Sequence, residues 1–217
     1  MSFFDIQNTA FTLLGYPLSW LELLGVLTGL AAVLLASMGK VTNFYIGLVN
    51  NVLYFAIFYQ HQLYSMMLLQ AVYFSLCCYG IYSWSKPNER QEKLKISNLN
   101  IHQRIIIGIM LIVAGIVWAK FVVYFSNLYP EHIKTPAYPS IDALLTIASI
   151  AGQILLTRKK LESWALWMVI DFSSTILYAV MGMYFTAALY GVYFFIGTHA
   201  FFAWRKEFLE TKPNNHK

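Results

Sequence analysis

Charged residues are scarce in this sequence. Asp, Glu, Lys and Arg make up 12% of the 217 residues, whereas a soluble domain carries about 25%. Hydrophobic residues reach 59% and the mean hydropathy is +0.56. Because so few polar side chains cannot cover a water-exposed surface, the composition argues against a soluble globular protein and predicts an all-α integral membrane protein.

Cysteine and the common catalytic motifs are also rare or missing. The two cysteines, Cys77 and Cys78, are neighbours in an apolar segment, and adjacent residues of a helix do not readily form a disulfide. The sequence has no glycine-rich phosphate loop, no H-E-x-x-H, no G-x-S-x-G and no Cys/His cluster. We therefore expect no enzymatic activity, no metal and no cofactor. The net charge of +5 lies in short loops, so we expect no nucleic-acid partner.

What the sequence has in abundance is long apolar stretches. Seven of them approach the roughly 20 residues that a helix needs to cross a bilayer. They lie near residues 19–38, 43–60, 64–84, 104–127, 140–157, 164–182 and 184–204. Residues 1–18 precede them as an N-terminal interfacial segment, in which Phe3 to Leu14 is expected to form either a short interfacial helix or a loosely ordered terminus.

The basic residues predict the orientation of the seven spans. Of the fifteen Lys and Arg, all but Lys120 and Lys134 fall on one side of the membrane if the spans alternate in direction. The side rich in Lys and Arg is normally cytoplasmic. We therefore expect an outside (periplasmic) N-terminus and a cytoplasmic C-terminus in a bacterial inner membrane.

The chain also contains an internal repeat. Residues 20–86, moved forward by 120 positions, align without a gap on residues 140–206. The run Val72-Tyr73-Phe74 meets Val192-Tyr193-Phe194, and Trp84 and Lys86 meet Trp204 and Lys206. This shared register of aromatic and basic positions is harder to attribute to composition than the aliphatic matches.

The repeat predicts a 3+1+3 parallel duplicated bundle. Residues 19–86 form the first three-helix repeat and residues 140–206 the second. Residues 87–139 form a linker with the central fourth helix, and residues 207–217 a cytoplasmic tail. One extra span between the copies makes them parallel, an arrangement that in transporters places the solute site near the midplane between the repeats.

Polar groups within the spans are the candidate site residues, because they are costly in hydrocarbon. Trp164, Trp167 and Asp171 stand at i, i+3 and i+7, which puts two indoles and a carboxylate on one helix face. Such a face suits a positively charged aromatic nucleoside. The alternative is an interfacial tryptophan pair with Asp171 bound to a neighbouring helix.

The first three-helix repeat supplies candidate amides and tyrosines. Asn50 and Asn51 could either contact a solute or join helices, and Asn51 is the repeat partner of Asp171. Gln70 could bind a polar group at depth. Its repeat partner is Tyr190, and Tyr73 pairs with Tyr193. The three tyrosines could equally serve helix packing.

These residues resemble those of the PnuC family of nicotinamide riboside transporters over nearly the whole length. The similarity lies in Asn43 to Asn51, in Gln62-Leu63-Tyr64, in the stripe from Gln70 to Trp84, and in the stretch from Thr157 to Asp171. Within the last, Trp164-x-x-Trp167-x-x-x-Asp171 is similar to the substrate-binding signature of that family.

The resemblance implies facilitated uptake of nicotinamide riboside (vitamin B3) by a homotrimer, with a separate cytoplasmic kinase trapping the solute. It places Trp164, Trp167 and Asp171 around the solute, with Gln70 and one of Asn50 and Asn51 opposite. Two alternatives stay open. One is a carrier of thiamine or another flat vitamin on the same scaffold, and the other is a membrane assembly subunit that transports nothing.

Overall fold

Seven α-helices follow a short β-hairpin in the computed structural model. The structure describes residues 5–13, 15–60, 64–86, 94–130 and 138–211. The elements are β1 (Thr9–Leu13), β2 (Tyr16–Ser19), α1 (Trp20–Ser37), α2 (Thr42–Gln60), α3 (Tyr64–Ser85), α4 (Ile101–Leu128), α5 (Pro139–Thr157), α6 (Glu162–Val180) and α7 (Tyr184–Thr211).

The helices coincide with the seven predicted stretches, and local signals explain several of their ends. α1 and α4 both begin with capping boxes, formed by Ser19 with Glu22 and by Asn100 with Gln103. α1 is followed by Gly39, whose positive φ of 67° ends the helix at little steric cost. The main difference from the prediction is α7, which continues to Thr211. The predicted tail at 207–217 is therefore helical over its first five residues, and residues 212–217 lie outside the described ranges.

Six of the seven helices are long and apolar enough to cross a membrane, and α2 is the exception among the described helices. The sequence of α2 includes Asn43, Asn50, Asn51 and Gln60. The three asparagines line an internal cavity described below. Their side chains lower the hydropathy of α2 without being presented to lipid.

Over its described residues, the N-terminal segment takes neither of the two forms expected from the sequence. Residues 9–13 and 16–19 pair as antiparallel strands, with Thr9 opposite Ser19 and Leu13 opposite Tyr16. Gly15 supplies the turn with a φ of 80°. Pro17 disfavours a helix here because it lacks an N–H group, and Thr9 and Thr12 favour extended backbone. The expectation of an interfacial helix was therefore wrong.

The helices pack in two consecutive groups that meet along two further contacts. α1, α2 and α3 pack in sequence, as do α5, α6 and α7. α1 also packs against α7, and α3 against α5. α4 packs chiefly against α5, so six helices surround the interior and α4 lies beside them.

Two tryptophans join the two groups at one end of the bundle. Trp84 on α3 donates its indole N–H to the carbonyl of Thr157 at 3.1 Å, and Trp204 on α7 donates to the carbonyl of Ser37 at 3.0 Å. Trp84 packs edge-on against Phe44, and Trp204 packs edge-on against Trp164. We call this the basic end, because it carries Lys40, Lys86, Arg158, Lys159, Lys160, Arg205 and Lys206.

The connection between α3 and α4 crosses the basic end. The backbone of Ser97 donates to the carbonyl of Lys159 and accepts from Leu161. Glu162 accepts hydrogen bonds from the backbone of Leu99 and from Arg104, with an ion-pair distance of 2.7 Å. These bonds fix the connection to the start of α6, directly before Trp164. Residues 87–93 and 131–137 of the predicted linker lie outside the described residues.

Candidate solute cavity

A cavity of about 680 Å³ lies between the two groups of helices. It is lined by residues of α1, α2, α3, α5, α6, α7 and the hairpin, and by none of the described residues of α4. Small-molecule sites typically measure about 300–1,000 Å³. The cavity is thus large enough for a nucleoside-sized solute.

All nine residues predicted from the sequence line this one cavity. They are Gln70, Asn50, Asn51, Tyr73, Trp164, Trp167, Asp171, Tyr190 and Tyr193. Helical spacing explains the result, since residues three, four and seven apart project from the same side of a helix. The structure brings the residues together, while their contacts with a solute stay a prediction.

The indoles of α6 form one wall. Trp164 is 2% exposed and its ring packs edge-on against Trp204 at a centroid distance of 5.6 Å. Its indole N–H is buried and has no hydrogen-bond partner among the residues that the structure describes. Trp167 lies close to the α5 backbone, since a Cβ atom placed on Gly152 would be 3.2 Å from its ring. Asp171, 4% exposed, follows on the same face.

The three amides have different surroundings. The Asn50 side chain donates to the carbonyl of Gly25 at 2.7 Å and to the Thr28 hydroxyl at 3.0 Å, so it also joins α2 to α1. Asn51 is 6% exposed and donates to the Cys77 sulfur at 3.6 Å. Gln70 is 9% exposed, and its side chain makes no hydrogen bond to another described residue. The donors and the acceptor of the Gln70 amide are therefore not used in a hydrogen bond to another described side chain.

The tyrosines line the cavity and also pack against each other. Tyr190 stacks on Tyr178 at a centroid distance of 5.2 Å and meets Tyr193 edge-on at 6.0 Å. The Tyr193 hydroxyl lies beside Gly29, where a Cβ atom would be 2.7 Å away. These tyrosines thus both line the cavity and contribute to helix packing.

The charge-bearing residue types that line the cavity are all acidic. Glu22, Asp142 and Asp171 are lining residues, and no Lys, Arg or His is among those that the structure describes. A cavity with three carboxyl groups and low-dielectric walls attracts cations and repels anions. In the described ranges, no group of three or more His, Cys, Asp or Glu is placed to hold a metal ion.

The hairpin covers the cavity at the end opposite the basic end. Tyr16 and Leu18 are lining residues, and the Tyr16 ring stacks on Phe185 of α7 at 5.9 Å. The Tyr16 hydroxyl donates to the Glu22 carboxylate at 2.6 Å. Burial, followed by this hydrogen bond, raises the pKa of Tyr16 above its ordinary value, so the hydroxyl stays protonated and keeps donating.

Several lining residues were not predicted as site residues. They include Asn43, Tyr54, Thr146, Ser149, Gln153 and Tyr178. Thr146, Ser149 and Gln153 stand at i, i+3 and i+7 on α5, a spacing that the sequence does contain. That spacing indicates a shared face, but it cannot say whether the face meets a cavity or a helix.

These features define the chain as a multi-pass α-helical membrane protein with a solute-sized internal cavity. The sequence model of the nicotinamide mononucleotide transporter family matches residues 19–206. The chain belongs to this family.

Named relatives and one solved structure agree with that assignment. The chain is 32% identical to the nicotinamide riboside transporter PnuC of Escherichia coli (strain K12), over 94% of both chains. It is 23% identical to the protein of the same name from Haemophilus influenzae, covering 88% of this chain and 81% of the relative. The crystal structure of the vitamin B3 transporter PnuC has the same fold, with a TM-score of 0.67 and 23% identity over 89% of this chain and 83% of that one.

Proposed function

We propose that this protein carries nicotinamide riboside across a bacterial inner membrane by facilitated diffusion. The observation that carries the proposal is the cavity in which two indoles, amides and carboxyl groups converge. An indole face can stack on a flat pyridinium ring and attract its positive charge. The relatives named as nicotinamide riboside transporters identify a solute with this chemistry.

The charge of the cavity favours the riboside over the mononucleotide. Nicotinamide mononucleotide adds a phosphate, and the lining offers three carboxyl groups and no described cation to accept it. Phosphate recognition in proteins normally uses Arg, Lys or helix N-termini. For the same reason, a phosphorylated product formed inside the cell would bind poorly to the cavity and would not be carried back out. This agrees with trapping by a separate kinase, which the resemblance implies.

The proposed scaffold is a 3+1+3 duplicated bundle in which α2 completes seven crossings. The cross-contacts support it, since the hydrogen bond from Trp84 to Thr157 becomes that from Trp204 to Ser37 when each number is shifted by 120. Phe44 against Trp84 corresponds in the same way to Trp164 against Trp204. Related pairs of this kind are expected from two similar, parallel triplets.

The remaining parts of the proposal concern the orientation in the membrane, the oligomeric state and the partner kinase. The basic end is assigned to the cytoplasm by its Lys and Arg residues, which leaves the hairpin outside. A homotrimer and a partner kinase follow from the resemblance. The apolar surface of α4, on which Ile109, Met110 and Ile112 are more than half exposed, could contact either lipid or a second subunit.

The two alternatives make different predictions about the cavity. An assembly subunit that transports nothing needs no solute-sized space between its polar side chains, so the cavity counts against it. Thiamine is also a flat cation, and the charge of the cavity does not separate it from nicotinamide riboside. Binding measurements must decide between these two solutes.

The test is calorimetric titration of the purified protein with nicotinamide riboside, nicotinamide mononucleotide, thiamine and riboflavin. We expect measurable binding of the riboside and at least about tenfold weaker binding of the mononucleotide, a difference of about 1.4 kcal/mol. Tightest binding of thiamine, or equal binding of riboside and mononucleotide, would contradict the proposal.

The site itself is tested with Trp167→Ala. Loss of a stacking indole of this size is expected to weaken riboside binding by about 2 kcal/mol or more, as for aromatic hot spots. Trp118→Ala is the matched control, because Trp118 lies on α4 and is 36% exposed. Unchanged affinity in Trp167→Ala would remove this indole from the site.

A further inference from the structure

One wall of the cavity is polar where its counterpart is apolar. Thr146, Ser149 and Gln153 line the cavity from α5. The positions 120 residues earlier on α1 are Val26, Gly29 and Val33, and these line the same cavity. Val33 shows that an aliphatic side chain serves the helix at the corresponding position. Helix packing alone therefore does not call for an amide at position 153.

The Gln153 amide also lacks a protein partner. The hydroxyl of Ser149 donates to the carbonyl of Leu145 at 2.7 Å, whereas the Gln153 side chain makes no hydrogen bond within the described part of the chain. Gln153 is half-buried in an apolar helix. An amide left unpaired in such surroundings is unfavourable, which indicates that its partner arrives with the solute.

The location of Gln153 relates it to the stacking indole. It follows Gly152, where an added Cβ atom would lie 3.2 Å from the Trp167 ring. It precedes by one turn Leu156, which belongs to the buried cluster that includes Trp164. A ring stacked on Trp167 would present its edge, with any substituent, to the α5 wall where Gln153 lies.

We propose that Gln153 is a specificity-determining residue that recognises the carboxamide of the ring bound at Trp167, an inference that rests on the proposed function. A primary amide has both a donor and an acceptor, and so does a carboxamide, so the two groups can form a pair of hydrogen bonds. A carboxylate in the same place would lose one of these bonds and would face the acidic lining.

The test compares two ligands in two proteins by calorimetric titration. The ligands are nicotinamide riboside and pyridinium riboside, which lacks only the carboxamide. The variant is Gln153→Val, which places on α5 the residue that α1 has at the corresponding position. We expect the variant to bind nicotinamide riboside about tenfold more weakly, as for the loss of one to two hydrogen bonds, and to bind pyridinium riboside as the parent does.

A matched control is Val33→Leu on the opposite wall, which should leave the ratio of the two affinities unchanged. Equal weakening for both ligands, or no weakening for either, would overturn the role of Gln153. Gln153→Leu tests the same point if the valine variant fails to fold. A parent protein that binds neither riboside would instead contradict the proposed function, so the two failures are distinguishable.

Discussion

At the scale of single residues, the cavity depends on small side chains facing large ones. Gly152 on α5 lies against Trp167 on α6. The positions 120 residues earlier are Ala32 and Gly47, so the first group of helices has small residues at both positions, whereas the second has a glycine opposite an indole. The indole that we assign to solute stacking thus belongs to the second group of helices alone, and Gly152 provides the space for it.

Gly152→Ala is expected to weaken riboside binding about threefold to tenfold with a loss of stability below about 1 kcal/mol. The new methyl group would lie 3.2–3.3 Å from ring atoms of Trp167, so the ring must move by a few tenths of an ångström, and small displacements in a binding site are costly. Titration and thermal unfolding measure the two effects.

The matched control is Gly191→Ala on α7, since nothing lies within 4 Å of a Cβ atom placed there. This variant should keep the parent affinity. If Gly152→Ala also binds as the parent does, the position of the Trp167 ring is not what determines affinity.

Residue spacing predicted which side chains share the cavity, but not the contacts that these side chains make. The nine predicted residues could be found among the lining residues because polar groups are costly in a membrane helix and because residues at i, i+3 and i+7 share a face. The bond from Asn50 to the Gly25 carbonyl could not be predicted, because it depends on how α1 and α2 cross. Gln153 was missed because one polar face on a helix does not reveal what it meets.

At the scale of elements, the tryptophans of α3 and α7 form a symmetrical pair of links between the two groups of helices. Trp84 is 5% exposed and Trp204 is 2% exposed, and each donates to a carbonyl at the end of a helix in the other group. Because these are the cross-links at the basic end, they oppose separation of the two groups there.

Trp84→Phe and Trp204→Phe should each destabilise the protein by about 1–3 kcal/mol, the usual effect of leaving a buried carbonyl without its donor. We expect similar losses for the two variants, because the two links are related by the 120-residue shift. Thermal unfolding in detergent measures this, with Trp118→Phe on exposed α4 as control. A large loss in only one variant would contradict equivalent roles for the two tryptophans.

The elements themselves were the part of the fold most open to prediction. Bilayer thickness sets the number of apolar residues in a membrane-spanning helix, so such helices can be predicted from the length of apolar stretches. The hairpin at residues 9–19 was not predicted, because its Tyr16 packs against Phe185, and local sequence does not reveal a contact between residues so far apart in the chain. The end of α7 was also missed, since a helix can continue beyond the membrane once hydropathy no longer marks it.

At the scale of the whole molecule, the proposed mechanism is passive, and passivity has a measurable electrical consequence. The sequence contains no glycine-rich phosphate-binding loop, and the proposed carrier uses no ATP. Nicotinamide riboside carries one positive charge on its ring. A carrier that moves this cation alone must respond to the membrane potential as well as to the concentration gradient.

Proteoliposomes without a potential should therefore fill with riboside only to the external concentration. An inside-negative potential of about 100 mV adds about 2.3 kcal/mol per charge, which corresponds to about 50-fold accumulation. An enclosed nucleoside kinase with ATP should raise total uptake further at zero potential, because the phosphorylated product no longer suits the acidic cavity. Uptake that ignores the potential would mean that a counter-charge moves with the solute, whereas accumulation at zero potential without a kinase would contradict facilitated diffusion.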